Sequence, residues 1–194
     1  RGLADSITRA GFSRLFFLKD AISMKWDKAR VMAFDFETSG EEAEYALQPW
    51  RVDQGKSWAT SLAVIYYDGV TGKRKVTGGL TPTASTMRAF QERAIATDSY
   101  VTGWNTVFDI SWLLAYGLGD LVMRVKWLDG MLLWRHYFIE PEYDATAGKK
   151  KSYGLKTAVT EYLPHHAGYE EDVDFHSTDP DELRKLHQYN IRDT

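Results

Sequence analysis

The sequence predicts a layered α/β protein with a mixed β-sheet of about five strands flanked by helices. Strand-like segments at residues 31–37, 58–67 and 73–77 follow one another directly, which indicates a meander at the start of the sheet. Helix-like and strand-like segments then alternate, as in proteins whose helices pack on a sheet. The chain has 194 residues, of which 44% are hydrophobic and 14% aromatic, enough for one domain with a sizeable core.

The first strand candidate carries the clearest chemical signal. Its residues alternate between two faces, with Val31, Ala33, Asp35 and Glu37 on one and Met32, Phe34 and Phe36 on the other. Two neighbouring carboxylates on an otherwise apolar strand need a cation or hydrogen-bond donors to offset their desolvation and repulsion. Mg²⁺ and Mn²⁺ suit such oxygen ligands. The alternative is that both carboxylates are solvated where the strand ends, at the turn of residues 38–40.

The next segments are assigned from composition and turn residues. Residues 41–56 are polar and predict a long loop. Residues 58–67 are rich in aromatic and β-branched side chains and predict a second strand. The turn at Asp68-Gly69 connects this strand to a hairpin partner at residues 73–77.

Helices are predicted where apolar residues recur every three or four positions. The first spans residues 83–97, begins at Thr83 or Ser85, and directs Met87, Phe90, Ala94 and Ile95 inward. A short buried strand is predicted at residues 100–103. A strongly apolar helix follows at residues 105–116, and Gly117 closes it.

The last third of the chain alternates between structured and loop segments. A strand is predicted at residues 122–128, with Asp129 as the N-cap of a helix over residues 130–138. A flexible basic loop, a helix ended by Pro164 and an acidic loop are predicted at residues 145–152, 153–162 and 170–174. The final helix begins at Thr178 or Asp179 and has Pro180 in its first turn.

Composition excludes several classes of protein. The chain has no Cys, which excludes disulfides, thiolate zinc sites and a cysteine nucleophile and suits a reducing compartment. It shows no signal-peptide pattern and no apolar run of about 18 residues, so neither secretion nor a membrane span is predicted. A net charge of −3 does not by itself indicate a polyanionic partner.

Two further pairs of polar residues occur at helical spacing. Asn105 and Asp109 lie four residues apart on one side of an apolar helix, and Tyr189 and Asp193 repeat that spacing in the last helix. Each pair has an ordinary explanation. Asn and Asp stabilise helix N-termini, and a core tyrosine often lies one turn from a surface aspartate.

Together, Asp35-x-Glu37, Asn105-x-x-x-Asp109 and Tyr189-x-x-x-Asp193 resemble the three exonuclease motifs of the DEDD superfamily, in the form of its tyrosine branch. The histidine branch is disfavoured because His187 lies six residues before Asp193. The resemblance covers about residues 30–194. It is greatest to the proofreading domain of a family A DNA polymerase of bacteriophage type.

This resemblance implies a ribonuclease H-like sheet and metal-dependent hydrolysis of phosphodiesters at the 3′ end of DNA. Two Mg²⁺ or Mn²⁺ ions would be held by four carboxylates, one ion activating water and the other stabilising the leaving oxygen. By resemblance, the ligands are Asp35, Glu37, Asp109 and Asp193. Tyr189 would orient the attacking water, because a phenol with a pKa near 10 is a poor base at neutral pH.

The resemblance also implies residues that contact the substrate. Thr38, Asn105 and Phe108 would position the terminal nucleotide, and Lys156 would contact a phosphate. The lysines at 149–151 could do so too, although a solvated loop explains that run better, whereas for Lys156 the two explanations are about equal. One departure concerns the apolar residue that often follows the Asp-x-Glu-Thr motif in the family. Glu41 and Glu42 occupy that neighbourhood here.

The implied partners are single-stranded DNA or a frayed primer 3′ end, and a polymerase domain in the same longer chain. The implied location is the cytoplasm, that of the host cell if the protein is phage-encoded. The chain starts at Arg1 and stops at Thr194, so we expect a fragment. Residues 13–24 could form either a helix or a strand. Residues 1–29 are therefore assigned only as an N-terminal extension of uncertain role, which precedes a domain at residues 30–194.

Two alternatives stay open at this point. One is a stand-alone RNA 3′-end trimming exonuclease of similar fold. The other is a non-catalytic exonuclease-like module that binds nucleic acid without cleaving it. The five histidines show no convincing metal-ligand spacing.

Overall fold

The computed structural model describes residues 28–137, 143–144, 149–150, 154–167 and 173–194. Its main sheet has five strands in the order β3-β2-β1-β4-β5. The strands are β1 (Arg30–Gly40), β2 (Ser57–Asp68), β3 (Lys73–Leu80), β4 (Tyr100–Gly103) and β5 (Lys126–Asp129). β1, β2 and β3 form an antiparallel meander, whereas β4 and β5 run parallel to β1. The predicted α/β class is confirmed, and the mixed sheet is compatible with a ribonuclease H-like fold.

The helices flank this sheet. They are α1 (Ala84–Ala96), α2 (Thr106–Ala115), α3 (Gly119–Val122), α4 (Gly130–Tyr137), α5 (Leu155–Tyr162) and α6 (Pro180–Asp193). Short 3-10 helices occur at Ala43–Leu47, Pro49–Arg51 and Pro164–His166. Two short strands, β6 (Tyr143–Asp144) and β7 (Lys149–Lys150), form a separate antiparallel pair.

The core lies on the face of β1 that carries Met32, Phe34 and Phe36, as the alternating pattern predicts. All three side chains are buried. The Phe34 ring packs against Phe90 of α1 and Trp127 of β5, with ring centroids 5.4 and 5.6 Å apart. Burial of side chains of this size is the main free-energy gain that holds the helices on the sheet.

The opposite face of β1 carries Asp35 and Glu37, and α6 packs over this region against β1, β2 and β3. The helix begins where the sequence predicts. The Asp179 carboxylate accepts hydrogen bonds from the backbone N–H groups of Asp181 and Glu182, and Pro180 occupies the first helical position. β1 thus has an apolar face toward α1 and an acidic face toward α6.

Several element boundaries differ from the predictions. The segment at residues 41–56 contains two 3-10 helices rather than an irregular loop. The strand predicted at residues 122–128 was placed too early, because Gly119–Val122 is helical and β5 begins at Lys126. Lys149 and Lys150 lie in a strand, not in the flexible loop predicted for them.

The other predicted elements are confirmed to within a few residues at each end. Thr83 caps α1 by accepting a hydrogen bond from the Thr86 N–H. Gly117 follows α2 with a left-handed backbone, at φ 76°, which ends the helix. Most of the predicted extension, residues 1–27, lies outside the described residues, as do most of the predicted basic loop and part of the acidic loop. None of the described helices has the length and apolar character needed to cross a membrane.

Candidate functional site

The first part of the site is the acidic face of β1. Asp35 and Glu37 are half-buried, and the antiparallel register with β2 shifts between Glu37 and Thr38. Such a bulge changes the direction in which the following side chains point. The pairing of β4 with β1 ends at Thr102 opposite Ala33, just before Asp35. The two carboxylates therefore lie just beyond the point where β4 stops pairing with β1.

Asp109 reaches the same place from α2, the helix that follows β4. Its Oδ1 accepts a hydrogen bond from the Phe36 backbone N–H at 3.3 Å, and only 2% of Asp109 is exposed. A fully buried carboxylate is unfavourable unless something compensates its charge, so this placement is not explained by a helix N-terminus alone.

α6 contributes the third part. The Tyr189 hydroxyl donates a hydrogen bond to the Asp193 carboxylate, one helical turn away, and Asp193 interacts electrostatically with both Asp35 and Glu37. The structure therefore brings together the four carboxylates singled out in the sequence and the tyrosine beside them. They come from β1, α2 and α6.

This crowding changes the proton affinity of the acids. Burial, followed by repulsion from Asp193, raises the pKa of Asp35 from 3.8 to about 7. Burial, followed by repulsion from Asp35 and Asp193, raises the pKa of Glu37 from 4.5 to about 8. Burial and the nearby Asp35 also raise the pKa of Asp109 well above its ordinary value.

Lys156 and Tyr189 line the same region. The Lys156 ammonium lies 5.5 Å from the centroid of the Tyr189 ring, and its charge lowers the pKa of Glu37. The Phe175 ring packs edge-on against Tyr189, with the centroids 5.8 Å apart. Burial and the hydrogen bond to Asp193 raise the pKa of the Tyr189 hydroxyl, so this group keeps its proton at neutral pH.

The three other predicted substrate contacts are placed differently. The Thr38 hydroxyl donates to the Ala46 carbonyl at 2.6 Å and so holds the first 3-10 helix against β1. Asn105 is exposed and has a left-handed backbone, with φ 60°. Phe108 packs against the core, and its ring lies 6.3 Å from that of Trp112. Their substrate roles stay predictions.

Sequence reasoning missed three polar side chains behind the carboxylates. The Asn190 amide donates to Asp35 Oδ2 at 2.8 Å. The Ser61 hydroxyl donates to Asn190 Oδ1 at 3.3 Å, and Ser61 Oγ also lies 2.7 Å from His187 Nδ1. Asn190 lies within the third motif, between Tyr189 and Asp193, but the motif assigned it no role, and no pattern connected Ser61 to it.

Carboxylate oxygens are the ligands that Mg²⁺ and Mn²⁺ prefer, so the chemistry of this donor set fits such a cation. Burial and mutual repulsion leave these acids with raised proton affinity, which a divalent cation would relieve. Within the part of the chain that the structure describes, no three His, Asp or Glu side chains form a ready-made metal site. A cation would therefore have to draw these carboxylates together.

When the chain is compared with known protein families and with curated proteins, neither comparison gives a match. Inference about function therefore depends on the side chains described above.

Proposed function

We propose that this protein is a metal-dependent 3′–5′ exonuclease that hydrolyses phosphodiesters at the 3′ end of DNA, with proofreading for a family A DNA polymerase as its context. The observation that carries the proposal is that Asp35 and Glu37 on β1, Asp109 on α2 and Asp193 on α6 lie in one region of the molecule, where Asp109 bonds the backbone of β1 and the acids repel one another. Four acids from three separate segments are unfavourable together in their ionised form unless they bind cations. The ordered motifs of the sequence predicted the same four.

Asp35, Glu37, Asp109 and Asp193 would hold the metal. Bound Mg²⁺ or Mn²⁺ supplies an activated water and stabilises negative charge on the leaving oxygen. Tyr189 keeps its proton, so in this proposal it orients water by hydrogen bonding and does not act as a base. Lys156, whose charge acts on Glu37, is suited to contact a substrate phosphate nearby.

A groove beside Asp193 supports an elongated anionic substrate. It has a volume of about 790 Å³ and runs between α5, the 3-10 helix Pro164–His166, the end of α6 and the sheet. Its lining combines the basic side chains of Arg74 and Arg192 with His165, His166 and several apolar side chains. A lining with both positive charge and apolar surface suits a nucleic-acid strand, whose phosphates and bases need different partners.

The first test is removal of Asp35. We expect Asp35→Ala to fold, because it relieves repulsion among buried acids, and to lose Mg²⁺- or Mn²⁺-dependent degradation of 5′-labelled single-stranded DNA. Loss of a metal ligand removes several kcal/mol of transition-state stabilisation, roughly a thousandfold in rate. Shortening of the labelled strand is measured by denaturing electrophoresis with Mg²⁺, with Mn²⁺ and with EDTA.

Asp53→Ala is the matched control, since Asp53 is exposed on the segment between β1 and β2. It should retain wild-type activity. Undiminished activity of Asp35→Ala would refute the proposal. RNA of the same sequence, assayed in parallel, distinguishes DNA cleavage from RNA trimming, and Mn²⁺ binding without any turnover would indicate a non-catalytic module.

A further inference from the structure

Asn190 is a fully buried polar residue at the centre of the acidic cluster. Its exposure is 0%, and its amide donates to Asp35 Oδ2 at 2.8 Å. The same side chain acts on Glu37, where it lowers the pKa. Because the amide is rigid and bonded directly to Asp35, its position determines where the Asp35 carboxylate points.

Ser61 holds the other end of this amide. It is buried, with 0% exposure, and it lies directly opposite Glu37 in the antiparallel register of β1 and β2. Its hydroxyl lies 3.3 Å from Asn190 Oδ1 and 2.7 Å from His187 Nδ1. The amide oxygen can only accept, so the single hydroxyl hydrogen goes to Asn190.

This assignment determines the tautomer of His187. With the Ser61 hydrogen used, Nδ1 of His187 must donate its N–H to Ser61 Oγ. Burial lowers the pKa of His187, which favours a neutral ring with one N–H. The donors therefore run in one direction, from His187 to Ser61 to Asn190, and the Asn190 amide donates onward to Asp35. Aligned hydrogen bonds polarise one another, so each strengthens the next.

We propose that Asn190 is a positioning residue of the candidate active site, and that Ser61 and His187 hold its amide so that the Asp35 carboxylate is oriented for its ligands. This inference rests on the proposed nuclease function. Groups that orient ligands typically change metal affinity or activity by about 10- to 100-fold when removed. A purely structural role, packing α6 on β2, predicts a loss of stability with no such change.

The experiment compares Ser61→Ala with Ser57→Ala in the 194-residue chain. Ser57 is the matched control because it lies on the same strand, is equally buried, and donates at 2.9 Å to the Gln48 carbonyl, away from Asn190. The measurements are Mn²⁺ affinity by calorimetry, kcat and KM on a single-stranded DNA oligonucleotide, and Tm. We expect Ser61→Ala to lose about 10- to 100-fold in Mn²⁺ affinity or kcat with KM unchanged. Ser57→Ala should lower Tm only.

A second pair of variants tests the imidazole. His187→Asn keeps an N–H at the position of Nδ1, whereas His187→Leu removes it. We expect His187→Leu to behave like Ser61→Ala and His187→Asn to recover most of the loss. The double variant Ser61→Ala/His187→Leu should be no worse than Ser61→Ala alone, because both act through one amide. If Ser61→Ala does not fold, the His187→Leu and His187→Asn variants provide the same test, because His187 is only half-buried.

The outcomes separate the two proposals. If the wild-type chain binds Mn²⁺ and degrades DNA but Ser61→Ala and His187→Leu match it, the positioning role is wrong and the nuclease function stands. Equal losses in Ser57→Ala and Ser61→Ala would also overturn it. If the wild-type chain neither binds Mn²⁺ nor cleaves nucleic acid, both proposals fail.

Discussion

At the scale of single residues, the acidic face of β1 is defined by its raised proton affinity. The pKa of Asp35 is raised to about 7 and that of Glu37 to about 8, in each case mainly by burial. The same two residues ordinarily have pKa values of 3.8 and 4.5. Near neutral pH and without a cation, the folded chain therefore holds protons that the unfolded chain has released.

This difference predicts how stability depends on pH. Between about pH 4 and pH 8 the folded state binds more protons than the unfolded state, so these two groups make the free energy of unfolding fall as pH rises. Above the folded-state pKa values both carboxyls are ionised in the folded and the unfolded state, so these two groups lower the free energy of unfolding no further. We expect Tm in EDTA to decline over this window, and Mg²⁺ to raise Tm more at pH 8 than at pH 6, because the acids then ionise.

A comparison of variants separates the contribution of Glu37 to the pH dependence of Tm from the contributions of other titrating groups. Glu37→Gln should flatten the decline of Tm with pH, whereas Glu41→Gln, at an exposed position, should leave the profile unchanged. A Glu37→Gln profile identical to that of the wild type would contradict the assignment of the raised pKa to this site.

At the scale of elements, Asp129 connects two helices to the sheet edge. The sequence predicted it as the N-cap of α4, and its Oδ1 does accept from the Leu132 N–H at 3.1 Å. Its Oδ2 also accepts from the backbone N–H and the hydroxyl of Thr106, at 2.9 and 3.0 Å. Asn105, for which capping of α2 was the ordinary alternative to a substrate contact, makes no side-chain capping bond. One carboxylate on β5 therefore anchors the start of the helix that carries Asp109.

Removing this carboxylate should weaken both helix starts. At about 1 kcal/mol for each cap, Asp129→Ala should lower the free energy of unfolding by about 2 kcal/mol, measured by urea denaturation. Asp120→Ala is the control, since it loses only an exposed ion pair to Arg88 and should change stability by less than about 1 kcal/mol. Equal effects of the two substitutions would contradict the double-cap role.

At the scale of the whole molecule, the net charge of −3 hides an uneven distribution. The four acids lie beyond the end of the β1–β4 pairing. The edge strand β3, by contrast, begins with three exposed basic residues at 73–75. Basic residues on an edge strand also prevent unwanted strand pairing, so their presence alone does not indicate a ligand. Arg74 is the one among them that lines the groove beside Asp193.

This placement predicts an electrostatic contribution to substrate binding. Arg74→Ala should weaken binding of single-stranded DNA and reduce the slope of log affinity against log salt by about 1, the effect of losing one phosphate contact. Lys73→Ala, one residue away on the strand, is the matched control and should have less effect. Fluorescence anisotropy at several salt concentrations measures both, in EDTA to prevent cleavage. Equal slopes in wild type and Arg74→Ala would exclude a phosphate contact.

Local patterns in the sequence predicted the α/β class, the two faces of β1 and the main helices, and the resemblance of three motifs to a known family predicted the four acids. These features depend on local periodicity, on capping residues and on motif spacing, all of which act over a few neighbouring positions. The functional roles of those acids stay predictions. Boundaries were less predictable where short 3-10 or helical turns replaced a loop or a strand, because one turn has too few residues to show a period.

The polar groups that support the acids could be identified only from the packing of distant segments. Asn190 and Asp35 are 155 positions apart, and Ser61 and Asn190 are 129 apart. Asp129 caps α2 from 23 residues away. Such bonds depend on how β2, β5 and α6 are brought against β1 and α2, and a single sequence has no local pattern that encodes the meeting of two distant side chains. The acids could therefore be predicted from the resemblance of three motifs to a known family, whereas the amide and hydroxyl behind them could not.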